Sequence, residues 1–349
     1  MLSFSLWNSH TFTFDPDGPF PALYRLLTVR SPSIHTLDLT EYAGKFILIT
    51  GATQGCGLEC ARALGRVGCH LILTARDLQR GENIKQQIET EAKDLNVATV
   101  VDIIELDLKS LKSVNALPRR LEKIISHLDI AILNAGAYQT KFHICQETGW
   151  EEIFQVNFLA NCNLMMLLRP FLARATRGRV IAVSSEAHAW ADPSHASTKM
   201  LANQLSKSNS TSYPCYQRYH ISKLLLNLWV RDISSREEWN SISVATVSPG
   251  FSRTALFRDF NNFRLARLLE KIVCRTSEQG ASQYIFALWG LEAGNGNGGF
   301  WSDGNLQNPS MIVRSQISWE LQSTIYADVM EILHATDAKS QGGGNTAVS

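Results

Sequence analysis

From residue 45 to residue 302, short apolar runs alternate with longer stretches in which apolar residues recur every three or four positions. The runs predict strands over 45–50, 70–74, 99–106, 128–133, 179–184, 242–247 and 298–302, with helical stretches between them. Lys45-Phe46-Ile47-Leu48-Ile49-Thr50 is apolar through its centre rather than alternating, the pattern of a parallel strand covered on both faces. A helix between one strand and the next carries the chain back across the sheet. The pattern therefore predicts an α/β fold, a single doubly wound parallel sheet of about seven strands with helices on both faces. No unit of a few tens of residues repeats, which excludes solenoids and propellers.

The 349 residues exceed the needs of one such sheet, but no break in composition divides them. One domain over 41–336 is expected, with an N-terminal arm over 1–40 and a polar tail over 337–349 whose Gly342-Gly343-Gly344 predicts disorder. Phe4, Leu6, Trp7, Phe12, Phe14 and Phe20 make the arm too apolar for a free tail. It is expected to pack on the domain, with a peripheral membrane contact as the alternative. The arm lacks the pattern of a secretory signal, and no run of about 18 apolar residues occurs, so no transmembrane segment is expected. A net charge of +1 with dispersed basic residues speaks against a nucleic-acid partner. The seven scattered cysteines lack paired metal spacings; they predict reduced thiols, no metal site and a cytoplasmic protein.

Candidate chemistry begins where the first strand ends. Thr50-Gly51-x-x-x-Gly55-x-Gly57 leads into a helical pattern, and its glycines leave no side chain between the helix N-terminus and an approaching pyrophosphate. That is a dinucleotide cradle of the Rossmann type. The next strand ends in Ala75-Arg76, where an acidic residue would hold an NAD ribose; an arginine there suits the 2′-phosphate of NADP. Further along, Tyr219 and Lys223 lie four residues apart on one face of a predicted helix. An ammonium near a phenol favours the phenolate, which predicts a lowered tyrosine pKa and a general acid–base group. Ser184-Ser185 follows a strand at the edge where ligands bind in such sheets, and a serine there can donate to a substrate oxygen.

Together these fragments resemble the short-chain dehydrogenase/reductase family along roughly residues 40 to 335, and within it the retinol-dehydrogenase-like branch. The resemblance selects Ser185 of the serine pair, and implies that Lys223 also binds the nicotinamide ribose. It assigns Asp107 to the adenine, Asn134 to the central sheet beside the cofactor, and Asn157 to a water relay behind the lysine. Pro249 and Gly250, with Thr254 beyond them, match the loop that closes over the nicotinamide. Arg275-Thr276-x-Glu278-Gln279-Gly280-Ala281 matches a helix start of the retinol-type branch. A homodimer is likewise implied by resemblance alone.

One departure from the family pattern is large, because Ser185 and Tyr219 are 34 positions apart. The insertion, about 186–214, is expected either to cap the pocket or to be an inert surface loop. A substrate lid is expected over about 251–275, where Leu256, Phe257, Phe260 and Phe263 suggest an apolar substrate. The leading expectation is an NADP(H)-dependent oxidoreductase acting on CH–OH donors, interconverting an apolar ketone or aldehyde and its alcohol, with a step in secondary metabolism suggested by the insertion. The alternatives are an extended-type epimerase or dehydratase, against which the glycine spacing counts, and a catalytically inactive nucleotide-binding protein, against which the Ser-Tyr-Lys set counts.

Overall fold

The computed structural model describes residues 29, 31–191, 215–250, 274–315 and 317–342. Strands β1 (Phe46–Ile49), β2 (His70–Ala75), β3 (Val100–Glu105), β4 (Ile130–Leu133), β5 (Gly178–Val183), β6 (Ile242–Val247), β7 (Phe300–Ser302) and β8 (Asn305–Gln307) form one sheet in the order 3-2-1-4-5-6-7-8. Every pairing is parallel except β7 with β8. The chain builds outward from β1 in one direction to β3, then returns to the other side of β1 at β4. This reversal opens a crevice at the carboxyl ends of β1 and β4, the usual ligand position in such a sheet.

Six longer helices cover the sheet: α1 (Gly55–Gly65), α2 (Leu78–Asp94), α3 (Ala160–Leu172), α4 (Cys215–Ile233), α5 (Ser277–Glu292) and α6 (Ile317–Gly342). The two-residue period of the strands sorts their side chains between the layers. Leu48, Ile72, Ala131, Val180 and Val244 face α3, α4 and α6, whereas Ile47, Ile49, Leu71, Ile130, Ile132, Ile181 and Ala245 face α1 and α5. Both faces of the central strands are dry, which explains why β1 reads as continuously apolar.

Two differences from the sequence expectation concern edges. The eighth strand pairs antiparallel across Asp303-Gly304, both at positive φ, 54° and 77°. That is the conformation of a two-residue hairpin turn. The last helix continues to Gly342, six residues into the tail expected to be disordered. It packs on α4, where the Trp229 and Tyr326 rings stack at 5.3 Å. The described end of the N-terminal arm is docked, with Ile34 buried and the Ser33 hydroxyl donating to the Glu278 carboxylate at 2.8 Å. Among the described residues no helix is long and apolar enough to cross a membrane. Most of the insertion, the lid as far as residue 273, and Thr254 lie outside the described residues.

Candidate active site

The glycine segment forms the floor of a cavity at the crevice. Gly51 has φ +66°, and a Cβ on Gly57 would lie 2.5 Å from Asn134 Nδ2 and 2.7 Å from the Gly51 carbonyl. The turn therefore packs backbone against backbone, and Gln54, which precedes α1, gives its first amides no side-chain cap. Uncapped N–H groups at a helix N-terminus without intervening side chains fit a dinucleotide pyrophosphate. Asn134 fastens this floor to β4: its amide donates to the carbonyls of Thr50 (2.9 Å) and Gly51 (3.1 Å) and accepts from Tyr284 (2.7 Å). Thr50 is fully buried, its hydroxyl accepting from the Ala135 amide at 3.0 Å.

Arg76 and Asp107 line the same cavity beyond β2 and β3. Arg76 is exposed, while neighbouring Asp77 caps α2. The Arg80 guanidinium donates to the Thr53 carbonyl at 2.9 Å, holding the glycine turn against α2. At the opposite rim Pro249 and Gly250 line the cavity, and the Arg275 guanidinium donates to the Pro249 carbonyl at 3.4 Å.

The reacting corner lies between β5 and α4. The Ser185 hydroxyl accepts from the Ala187 amide at 3.2 Å, and Ser185 and Tyr219 line the same cavity. Buried Lys223 lies one turn below, its Nζ 5.7 Å from the Tyr219 ring centre and donating to the Val183 carbonyl at 2.7 Å. Burial lowers the lysine to about 7 and pushes the phenol up to about 12, with the Ser185 hydroxyl pulling the phenol the other way. This corrects the lowered tyrosine pKa expected from spacing alone. The ammonium is held by a carbonyl rather than by the phenol oxygen, and a half-neutralised amine offsets little of the burial cost.

Asn157 sits in a π-helical turn, Gln155–Leu159, that runs into α3. Its amide oxygen accepts from the Ala137 N–H at 2.7 Å, and its nitrogen donates to the Ala137 carbonyl and to the Ser222 hydroxyl. Single π turns recur at functional sites. Here the turn fixes the wall between β4 and α4.

Three comparisons with known proteins bear on this arrangement. Residues 45–210 match the model of the short chain dehydrogenase family. The short chain dehydrogenase rstn4 of Aspergillus nomiae is 31% identical over 338 residues, spanning 92% of this chain and 88% of that protein. The chain belongs to the short-chain dehydrogenase/reductase family. Two solved structures share the fold. One, from Mycobacterium paratuberculosis, gives a TM-score of 0.62 at 23% identity, covering 87% of this chain and 98% of its own. The other, the Pseudomonas aeruginosa RhlG/NADP active-site complex, gives 0.56 at 22%, covering 74% and 94%.

In this family member Gly51, Gly55, Arg76, Asp107, Asn134, Ser185, Tyr219, Lys223, Pro249 and Gly250 line one cavity, whereas Thr50, Gly57 and Asn157 are not part of its lining. The structure also adds residues that spacing could not select. His188 is buried; its Nδ1 donates to the Ser185 carbonyl at 2.8 Å and its Nε2 accepts from the Ser310 amide at 3.1 Å. A carbonyl only accepts and an amide only donates, so these partners fix one neutral tautomer. Burial depresses its pKa to about 4. The ring thereby ties the Ser185 turn to the C-terminal segment. Arg218, next to Tyr219, forms a buried ion pair with Glu151 at 3.4 Å. Glu151 in turn caps the helical turn that leads to Asn157.

Proposed function

We propose that this protein is an NADP(H)-dependent oxidoreductase that interconverts a carbonyl and an alcohol on an apolar small molecule. The convergence of Ser185, Tyr219 and Lys223 on the cavity that begins at the glycine turn carries the reading. The bound nicotinamide would supply a hydride to the carbonyl carbon or accept one from the alcohol. As electron density grows on the carbonyl oxygen, the Tyr219 phenol gives up its proton to it and the Ser185 hydroxyl donates a hydrogen bond. In the opposite direction the phenolate takes the proton of the alcohol. A phenol near 12 is almost wholly protonated at neutral pH, so little of the phenolate base is present. The anionic dinucleotide favours the ammonium form of Lys223, which moves the phenol downward when the site is loaded.

Gly51, Gly55 and Gly57 are assigned to the pyrophosphate, Asp107 to the adenine, and Pro249 and Gly250 to the nicotinamide side. The exposed Arg76 guanidinium beyond β2 supports NADP over NAD, as does the NADP named in the RhlG complex. The insertion supports a dedicated substrate of secondary metabolism. The test is NADPH consumption against mixed neutral aldehydes and ketones, followed by product identification. Alcohol formation, at least about tenfold faster with NADPH than with NADH, is expected. Absence of turnover in both directions, with NADPH still bound, would contradict catalysis and favour a nucleotide-binding role.

A further inference from the structure

The rings at the reacting corner form a connected group. Tyr138 stands edge-on to Tyr219 at 5.4 Å, Tyr219 meets His220 at 6.4 Å, and His220 contacts Trp190 at 5.6 Å and Tyr216 at 5.7 Å. They come from three places, the loop after β4, the short helical turn Glu186–Trp190, and the first turns of α4. All of them line the cavity beside Ser185. Burial lowers the pKa of His220, so it presents a neutral ring near neutrality.

Charge is distributed differently. The cations lining the cavity, among the described residues, are Arg76, Lys109 and Lys223. Arg76 follows β2 on the other side of β1, the Lys109 ammonium is paired with Glu152 at 2.5 Å, and the Lys223 ammonium is bound to a carbonyl. Glu186 adds a carboxylate directly after Ser185. An anionic substrate group at this corner would meet that carboxylate, the cations named above being those that line the cavity among the described residues.

We propose that the substrate is neutral and carries an aromatic ring beside the reacting carbonyl or alcohol, the ring lying among Tyr138, Trp190, Tyr216 and His220. Edge-to-face and offset contacts reward an aromatic ring beyond the area it buries, whereas a saturated ring of the same size gains only the burial. The inference rests on the activity proposed above: one hydride from NADPH and one proton from Tyr219 add across the C=O bond, giving the alcohol and NADP⁺.

The test compares phenylacetaldehyde with cyclohexylacetaldehyde, whose carbonyls stand one methylene from the ring and so are matched in electrophilicity. The expected ratio of kcat/KM is about tenfold in favour of the aromatic member, two ring contacts being enough for that factor. In the double variant Trp190→Leu, Tyr216→Leu the ratio should approach one. A ring carboxylate on phenylacetaldehyde should lower kcat/KM by a further factor of about ten. A second readout needs no turnover: phenylacetamide and cyclohexylacetamide are titrated calorimetrically into the NADPH-loaded protein, and the aromatic amide should bind more tightly. Equal use of both aldehydes, or equal affinity for both amides, overturns the inference while leaving the activity standing. No turnover with a persisting amide preference removes the activity and leaves the aromatic site. Neither turnover nor amide binding contradicts both.

Discussion

Tyr219 is under opposing influences that only its surroundings define. Spacing placed an ammonium one turn away and so implied a more acidic phenol, but burial dominates and the Lys223 ammonium is spent on the Val183 carbonyl. The identities of Ser185, Tyr219 and Lys223 were legible because their spacing repeats on the helix and at the strand end. The partners of His188 were not, because both are backbone groups, one of them 122 positions away. Its chemistry is testable. A histidine depressed to about 4 must be neutral in the folded protein and charges freely once unfolded. Its contribution is complete above about 6.5 and is lost as pH falls toward 4, up to about 3 kcal/mol. In urea titrations the stability of wild type should fall more steeply over that window than that of His188→Asn; parallel curves would contradict the assignment. For Arg76, loss of a charge-assisted phosphate contact in Arg76→Ala should shift preference toward NADH by roughly 10–100-fold in kcat/KM. A wild type that already prefers NADH would remove that role.

Elements were legible where burial is two-sided and obscure at the margins. Strands β1, β2, β4, β5 and β6 announced themselves as apolar runs because both faces are covered, whereas the edge strand β3 is only half-buried. Asn305–Gln307 has three residues, with Asn305 and Leu306 exposed, and so carries no apolar alternation. The Asp303-Gly304 turn was its one sequence signal. The end of α6 was misjudged from its polarity, although Ala338, Lys339 and Gln341 are good helix formers. The turn between β1 and α1 admits a sharp test. Gly57→Ala places a methyl against Asn134 and the Gly51 carbonyl, so the floor must shift. NADPH affinity should fall by at least about tenfold with the far-ultraviolet circular dichroism retained, a shift of roughly 1.4 kcal/mol. Unchanged affinity would show that the turn is not the cradle. Between the Asn157 turn and α4, Arg218→Met leaves Glu151 charged and buried without its partner. A loss on the order of 3 kcal/mol in urea unfolding is expected, and an unaltered midpoint would show the pair to be dispensable.

At the scale of the molecule, the doubly wound sheet dictates where chemistry can occur. The reversal of strand order at β1 and β4 opens the crevice, the glycine turn lies at its floor, and α4 brings the phenol to its edge. That layout was readable from the order of the motifs alone, because each follows a strand and so arrives at the same edge of the sheet. The ring cluster was less readable, since Tyr138, Trp190, Tyr216 and His220 converge from separate elements and their spacing does not predict that they meet. In the proposed reaction Tyr219 moves the proton while NADPH moves the hydride. The most direct measurement uses NADPH deuterated at the transferring carbon of the nicotinamide, with an aldehyde accepted in the screen. Wild type should place deuterium on the former carbonyl carbon, and Tyr219→Phe should lose at least about 100-fold in turnover with its NADPH affinity nearly unchanged. Deuterium absent from the product, or near-normal turnover in Tyr219→Phe, would contradict the account.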